Sequence, residues 1–284
     1  MEAIDRKNSP QINEIKKAEI IRASETRLKN NIPVYHINAG EQDLVKIELI
    51  FPAGMWYQSA PVVASAANAM MQEGTSKHNA KEIAEETDYL GAFLDTQATH
   101  DFGSVAICSL NKHLGKVLPI VEEMISDSVF PQKEWDVYLQ NKKQQFIIDN
   151  EKVDSVSRKK FAELLFGNAH PYGYNVTEDD FNKADKNISY DFYKRHYSAS
   201  DCKIVVSGKI SEDTLKLTEK HFGGLKAGNI STNSFSTKEK SNPCKFFAEK
   251  KDAVQSAIRI GKILFTKTHP DYLGMQVLTT IFGG

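Results

Sequence analysis

Apolar and polar residues alternate along this chain with two different periods, and the switches between them mark its elements. In Val45–Phe51 the apolar Val45, Ile47, Leu49 and Phe51 interleave with Lys46, Glu48 and Ile50, a mostly two-residue period that predicts a strand with one buried face. Val34–Ile37 predicts a strand before it, joined through the turn NAGEQD. A shorter strand is expected around Glu19–Ile21, within an extended polar lead-in over residues 1–30. Helical spacing follows over 62–72 and 79–90; Gly91 stops the second helix, and Phe93–Thr99 with Ser104–Leu110 reads as a hairpin-like pair. Asn111 is placed to cap a helix running to Ser128, and Pro131 opens a long one through Ile148. Further helices are expected over 154–166, 189–196 and Glu212–His221, with a strand at Ile204–Ser207. That order predicts an α+β fold, its helices packed against one antiparallel sheet.

Residues 223–244 break the pattern. Gly, Ser, Thr, Asn and Lys dominate there and no apolar period survives, which predicts a linker. Beyond it the earlier pattern restarts. A shift of 209 residues carries Asp43 onto Asp252, Val45 onto Val254, Pro61 onto Pro270 and Gly74 onto Gly283, and sets Leu49 and Phe51 on Ile258 and Ile260. So long a period points to a duplicated domain rather than a solenoid. The expected organisation is a first module over 1–222, a linker over 223–244, and the start of a second, incomplete copy over 245–284. A stub of about forty residues is too small to bury a core by itself.

Composition narrows the function classes. Basic and acidic residues nearly balance, 36 against 37, so no global field draws the chain to nucleic acid or to an anionic membrane. No stretch is apolar for long enough to span a bilayer, and the polar N-terminal residues carry no signal-type apolar core. Cys108, Cys202 and Cys244 are far apart and show no metal-type spacing, so free thiols in a reducing compartment are expected. The eight histidines include no pair at i+3 or i+4, and no GxSxG, GxGxxG or phosphate-loop pattern occurs. These features, with the Lys- and Asn-rich usage, suit a bacterial cytoplasm.

Four passages carry a family resemblance: PVVASAANAMMQEGT running into SKHNAKEIAEETDYLGAF; FAELLFGNAHPYG; FYKRHYSASDCKIVVSG; and the VQSAIRIG restart. In that order they resemble the insulinase and mitochondrial-processing-peptidase family of inverted zincins. In that family the first helix bears His-x-x-Glu-His, two zinc ligands and a general base on one helical face. The matching positions here are Ser65, Asn68 and Ala69. The family's third ligand, a glutamate on a later helix, falls by resemblance at Gln144 or Gln145. Ser65 and Ala69 supply no imidazole, and the Asn68 carboxamide takes up no proton near neutral pH. With all of these positions changed together, neither a metal nor any other cofactor is expected, and the chain alone is not expected to be an enzyme.

The resemblance also implies what remains. In the family the strand after the Gly91-like turn is a sheet edge to which substrate adds by backbone pairing. Here that strand is Phe93, Leu94, Asp95, Thr96, Gln97 and Ala98. Phe93, Asp95 and Gln97 share one face, Leu94, Thr96 and Ala98 the other; the alternation leaves open which face turns to the chamber. The expected function is that of a catalytically inactive subunit of a two-subunit zinc peptidase, shaping the chamber and contacting an extended peptide. Its partner would be a related chain that keeps His-x-x-Glu-His. Two alternatives stand beside this: an active metallopeptidase with an unorthodox metal site, and a structural core-type subunit of a larger assembly.

Overall fold

In the computed structural model, which describes residues 20–229, 234–235, 245–251 and 253–283, the strongest sequence alternation sits at the centre of the sheet. Strand β3 (Leu44–Phe51) buries Val45, Ile47, Leu49 and Phe51 completely. It lies between β5 (Gly103–Leu110) and β6 (Lys203–Gly208), so Ile47 pairs with Ile107 and Val206, and Leu49 with Val105 and Ile204. This apolar layer faces the helices. The opposite face carries Lys46, Glu48, Ile50, Cys108, Lys203 and Ser207, all half-buried or exposed, with Lys46 and Glu48 joined by an ion pair of 2.9 Å.

The remaining strands are β1 (Ser24–Arg27), β2 (Pro33–Asn38) and β4 (Phe93–Ala98), and the sheet order is β1-β2-β6-β3-β5-β4. All neighbours are antiparallel except β2 and β6, which run parallel. The sheet is therefore mostly rather than wholly antiparallel. The turn NAGEQD does not close a hairpin: β6 inserts between β2 and β3. Glu19 lies outside the described residues, and Ile20 and Ile21 are exposed and unpaired; the first strand begins at Ser24 instead.

Helix α1 (Val63–Met70) packs on β4 and β5, and α3 (Leu114–Ser126) on β5. Between them α2 (Ala80–Tyr89) opens with a capping box, the Asn79 side chain accepting from the Glu82 N–H while the Glu82 carboxylate accepts from the Asn79 N–H. The GTSKH segment ties α2 to α3 through Glu123, which accepts from Lys77 Nζ at 2.9 Å and contacts His78 Nδ1 at 2.8 Å. Burial works to raise the Glu123 pKa, but these two partners outweigh it and hold the carboxyl below its ordinary value. Asn111 does not cap α3 with its side chain; its amide instead donates to Asp43 and to the Lys209 carbonyl.

Helices α4 (Gln132–Glu151) and α5 (Val153–Phe166) follow, then a short α6 (Glu178–Asn182) that the periodicity did not indicate, α7 (Lys186–His196) and α8 (Glu212–Phe222). The HPYG segment is a turn locked by rings: His170 is buried, stacks on Phe166 at 5.3 Å, and accepts from the Tyr172 N–H. His100 and Asp101 lie in the β4–β5 turn, and Asp101 accepts from the Tyr172 hydroxyl.

After the linker region the picture changes. Residues 253–265 form no strand, so the second β-unit expected from the repeat is absent among the described residues; Asp252 and Cys244 lie outside them. Helix α9 (Tyr272–Gly283) does form, and the 209-residue shift carries Val63, where α1 starts, onto Tyr272. Its Leu273, Val277, Ile281 and Phe282 are exposed.

Candidate functional site

The region to test is the face of α1 that lies beside β4. Val62 precedes α1 in a left-handed conformation, φ 72°, which is strained for a β-branched residue. Its carbonyl accepts from both the Ser65 hydroxyl, at 3.0 Å, and the Ala66 N–H. One helix turn apart, Ser65 and Ala69 form a half-buried stripe that continues to Gln72 just past the helix. The Gln72 amide donates to the Thr96 hydroxyl of β4. Tyr138 of α4 lies against Ser65, its hydroxyl buried without a well-formed hydrogen bond, and burial pushes the phenol up to about 12.

Asn68 is turned the other way. It is 3 % exposed and donates to the Ser104 carbonyl at 3.1 Å and to the Tyr197 hydroxyl at 2.9 Å. The amide thus bonds α1 to β5 and to the chain after α7. Gly103 belongs to the same packing, because a Cβ there would collide with the Tyr197 hydroxyl. Gln144 and Gln145 are exposed on α4, and the Gln145 amide is engaged with Asp149.

A zinc ion of the family type does not fit these groups. Ala69 has no donor atom, the Ser65 hydroxyl is bonded to its own helix start, and the Asn68 nitrogen points into the core as a donor. Glu73, just past α1, feels Glu134 of α4; burial first, and then that like charge, raise its pKa. Among the described residues no group of three His, Cys, Asp or Glu is placed to hold a metal ion.

What the region does present is an edge. Among the described residues strand β4 pairs with β5 alone, so its other side offers N–H and C=O groups that none of them takes up. Phe93, Asp95 and Gln97 are exposed, while Leu94, Thr96 and Ala98 are half-buried toward the α1 side. Sequence reasoning singled out this strand and the 65, 68 and 69 positions, but it missed Gln72 and Tyr138. The signal for Gln72 was available, since it extends the Ser65–Ala69 stripe; Tyr138 stands two helix turns before Gln145 and carried no marker of its own. Cys108 is a half-buried free thiol, and Cys202 is a buried one that burial pushes up to about 12. Among the described residues no helix is long and apolar enough to cross a membrane.

Comparison with known proteins agrees with this architecture. Residues 183–284 match the model of the peptidase M16 inactive domain. An uncharacterized zinc protease of Rickettsia felis is 26 % identical over 276 residues, covering 91 % of this chain and 63 % of that protein. Subunit 1 of the mitochondrial cytochrome b-c1 complex of Bos taurus is 22 % identical over 221 residues, covering 74 % of this chain and 45 % of that one. The crystal structure of a peptidase M16 inactive domain from Pseudomonas fluorescens superposes with a TM-score of 0.70 at 20 % identity, over 77 % of this chain and 54 % of that one. The chain thus spans less than two thirds of the length of the relatives it matches. Its fold, its order of motifs and these likenesses agree: residues 183–284 match the M16 inactive-domain family, and the chain as a whole is similar to insulinase-like M16 peptidases but lacks the His-x-x-Glu-His motif.

Proposed function

We propose that this chain is the non-catalytic half of a two-chain zinc peptidase, paired with a related chain that carries His-x-x-Glu-His. The observation that carries the reading is the pairing of an inward-turned Asn68 with an open β4 edge. The helix that holds zinc in the family is here given over to packing, while the strand that would receive substrate keeps its backbone groups free. Phe93 to Ala98 are the residues assigned to peptide contact. In the same reading residues 1–222 are the first module, 223–244 the linker, and 245–284 the opening of a second module; the shared starting register of α1 and α9 supports that duplication. The free thiols Cys108 and Cys202 support a cytoplasmic setting.

The test is reconstitution. This chain, expressed with a candidate His-x-x-Glu-His partner, is expected to co-purify in fixed stoichiometry. Peptide cleavage should need both chains and stop with chelator, with zinc residing in the partner. Zinc bound at one ion per chain by this protein alone, or cleavage by it alone, overturns the proposal. The likeness to the cytochrome b-c1 subunit supports a second reading, a structural core subunit. Co-purification with membrane redox subunits in place of a motif-bearing chain would select it.

A further inference from the structure

The exposed face of β4 is chemically uneven. Phe93 is 70 % exposed, and Tyr89, at the end of α2, is exposed as well, with Gly91 (φ 61°) turning the chain between them. Two residues along, Asp95 projects from the same face. Asp95 has no hydrogen-bond or ion-pair partner among the described residues. The charges nearest to it across the sheet do not answer it. Asp95 pairs across β5 with Ala106, which adds no charge, and beyond it Glu48 is held by Lys46 at 2.9 Å. The outer edge of the sheet therefore pairs an unsatisfied carboxylate with an uncovered aromatic ring, one strand repeat apart.

Resting on the peptide-contact reading above, we propose that Phe93 and Asp95 select the peptide: an extended segment with an apolar or aromatic side chain and a basic side chain two residues apart. A strand added to β4 brings its side chains about 5 Å from those opposite, in either direction of addition. Alternate residues of the added strand then meet Phe93 and Asp95 in turn. A ring or branched side chain covers Phe93, and a Lys or Arg neutralises Asp95. An acidic residue at that place meets like charge.

Binding of a fluorescein-labelled Thr-Val-Thr-Phe-Thr-Lys-Thr-Val peptide to the full chain tests this, alongside versions with Glu for Lys and Ala for Phe. A version N-methylated at alternate residues reports whether binding uses strand pairing. The Lys peptide is expected to bind about three- to tenfold more tightly than the Glu peptide at low ionic strength, with the gap narrowing in salt. Asp95→Lys should reverse that order, and Asp95→Asn should abolish it without reversal; the position is exposed, so circular dichroism should show both variants folded. If N-methylation blocks binding but the Lys and Glu peptides bind alike, or Asp95→Lys leaves their order unchanged, the selectivity is overturned and peptide contact survives. Asp95 is then only a guard against edge-to-edge association. If no peptide shows binding that N-methylation blocks, the peptide-contact reading falls, and the selectivity with it.

Discussion

Asn68 shows most directly how one side chain can be read from sequence as a vacancy and act in the fold as a fastener. Its place in the family motif marks it as a lost general base, but nothing in the local sequence tells that its amide turns inward to Ser104 and Tyr197. Those partners lie 36 and 129 residues away, beyond the reach of any local pattern. Asn68→Ala should cost about 2 kcal/mol, because it strands the buried Ser104 carbonyl and Tyr197 hydroxyl. Asn68→Glu, which restores the family's base, should cost more, about 3 kcal/mol, since a carboxylate cannot donate to Ser104 and must be desolvated. Urea unfolding of the two variants checks both; Asn68→Glu at wild-type stability would show that the amide is dispensable. His196 makes the matching case for pH. It is fully buried, contacts the Pro52 carbonyl through Nδ1 at 2.7 Å and stacks on Phe192. Burial is the main reason its pKa lies below the ordinary 6.5. Below that value the unfolded chain takes up a proton that the folded imidazole still refuses. Stability is therefore complete above about pH 6.5 and falls as pH drops toward the lowered folded pKa. Burial lowers His170 too, so it adds to the same slope. Asn at position 196 keeps a donor for Pro52 but does not titrate, so His196→Asn should flatten part of the loss measured by unfolding between about pH 7 and pH 5.

At the scale of elements, the legible parts were those whose pattern is set by their own burial. The alternation of β3, the Gly91 stop and the Pro131 start all describe local facts, and the structure keeps them. The partnering of β2 was not legible. Its hydrophobic pattern fits a strand beside β3 or beside β6 equally well, and only the global topology puts β6 between them. The continuous run Ile204–Val206 was the available hint, since near-continuous apolar strands suit the centre of a sheet. Helix α6 was missed because it is only five residues and has no buried stripe; its Thr177–Asp180 capping box was its one local signal. The element pair that matters for function is α1 and β4, and the Gln72–Thr96 bond is a tie between them. Gln72→Ala and Thr96→Val each remove that bond. A double-mutant cycle should therefore give a coupling of about 1 kcal/mol between them, as expected for a part-buried side-chain hydrogen bond. Additive effects would mean that packing alone holds the edge strand against the helix. Because Gln72 lies on the Ser65–Ala69 stripe, the result also tells whether the face that lacks metal ligands now serves to steady the strand beside it.

For the whole molecule, the division between a buried sheet-and-helix body and an exposed C-terminal stretch follows from where the apolar residues find partners. Among the described residues, all six strands and every buried apolar side chain lie between residues 24 and 225. By contrast Phe247, Val254, Ile258 and Ile260 are exposed along the stretch before α9, and α9 itself leaves five large apolar side chains in water, Leu278 among them. That stretch is attached at a few points on the α4–α5 corner. Lys250 pairs with Glu151, Arg259 with Asp154, and Lys160 sits 5.0 Å from the Phe246 ring centroid. Exposed ion pairs of this kind contribute about 0–1 kcal/mol each, and a cation–π contact at such a site about 0.5–1. Their sum is small beside the free energy of a body with its own core. Removing residues 245–284 is therefore expected to leave a cooperatively unfolding protein with an unchanged near-ultraviolet spectrum, less stable by no more than about 2 kcal/mol. The same deletion should sharply reduce binding of a hydrophobic dye and any concentration-dependent association, because it takes away the largest run of uncovered apolar side chains. Loss of cooperative unfolding on that deletion would mean that the body does not stand alone, and the first-module boundary drawn near residue 222 would have to move.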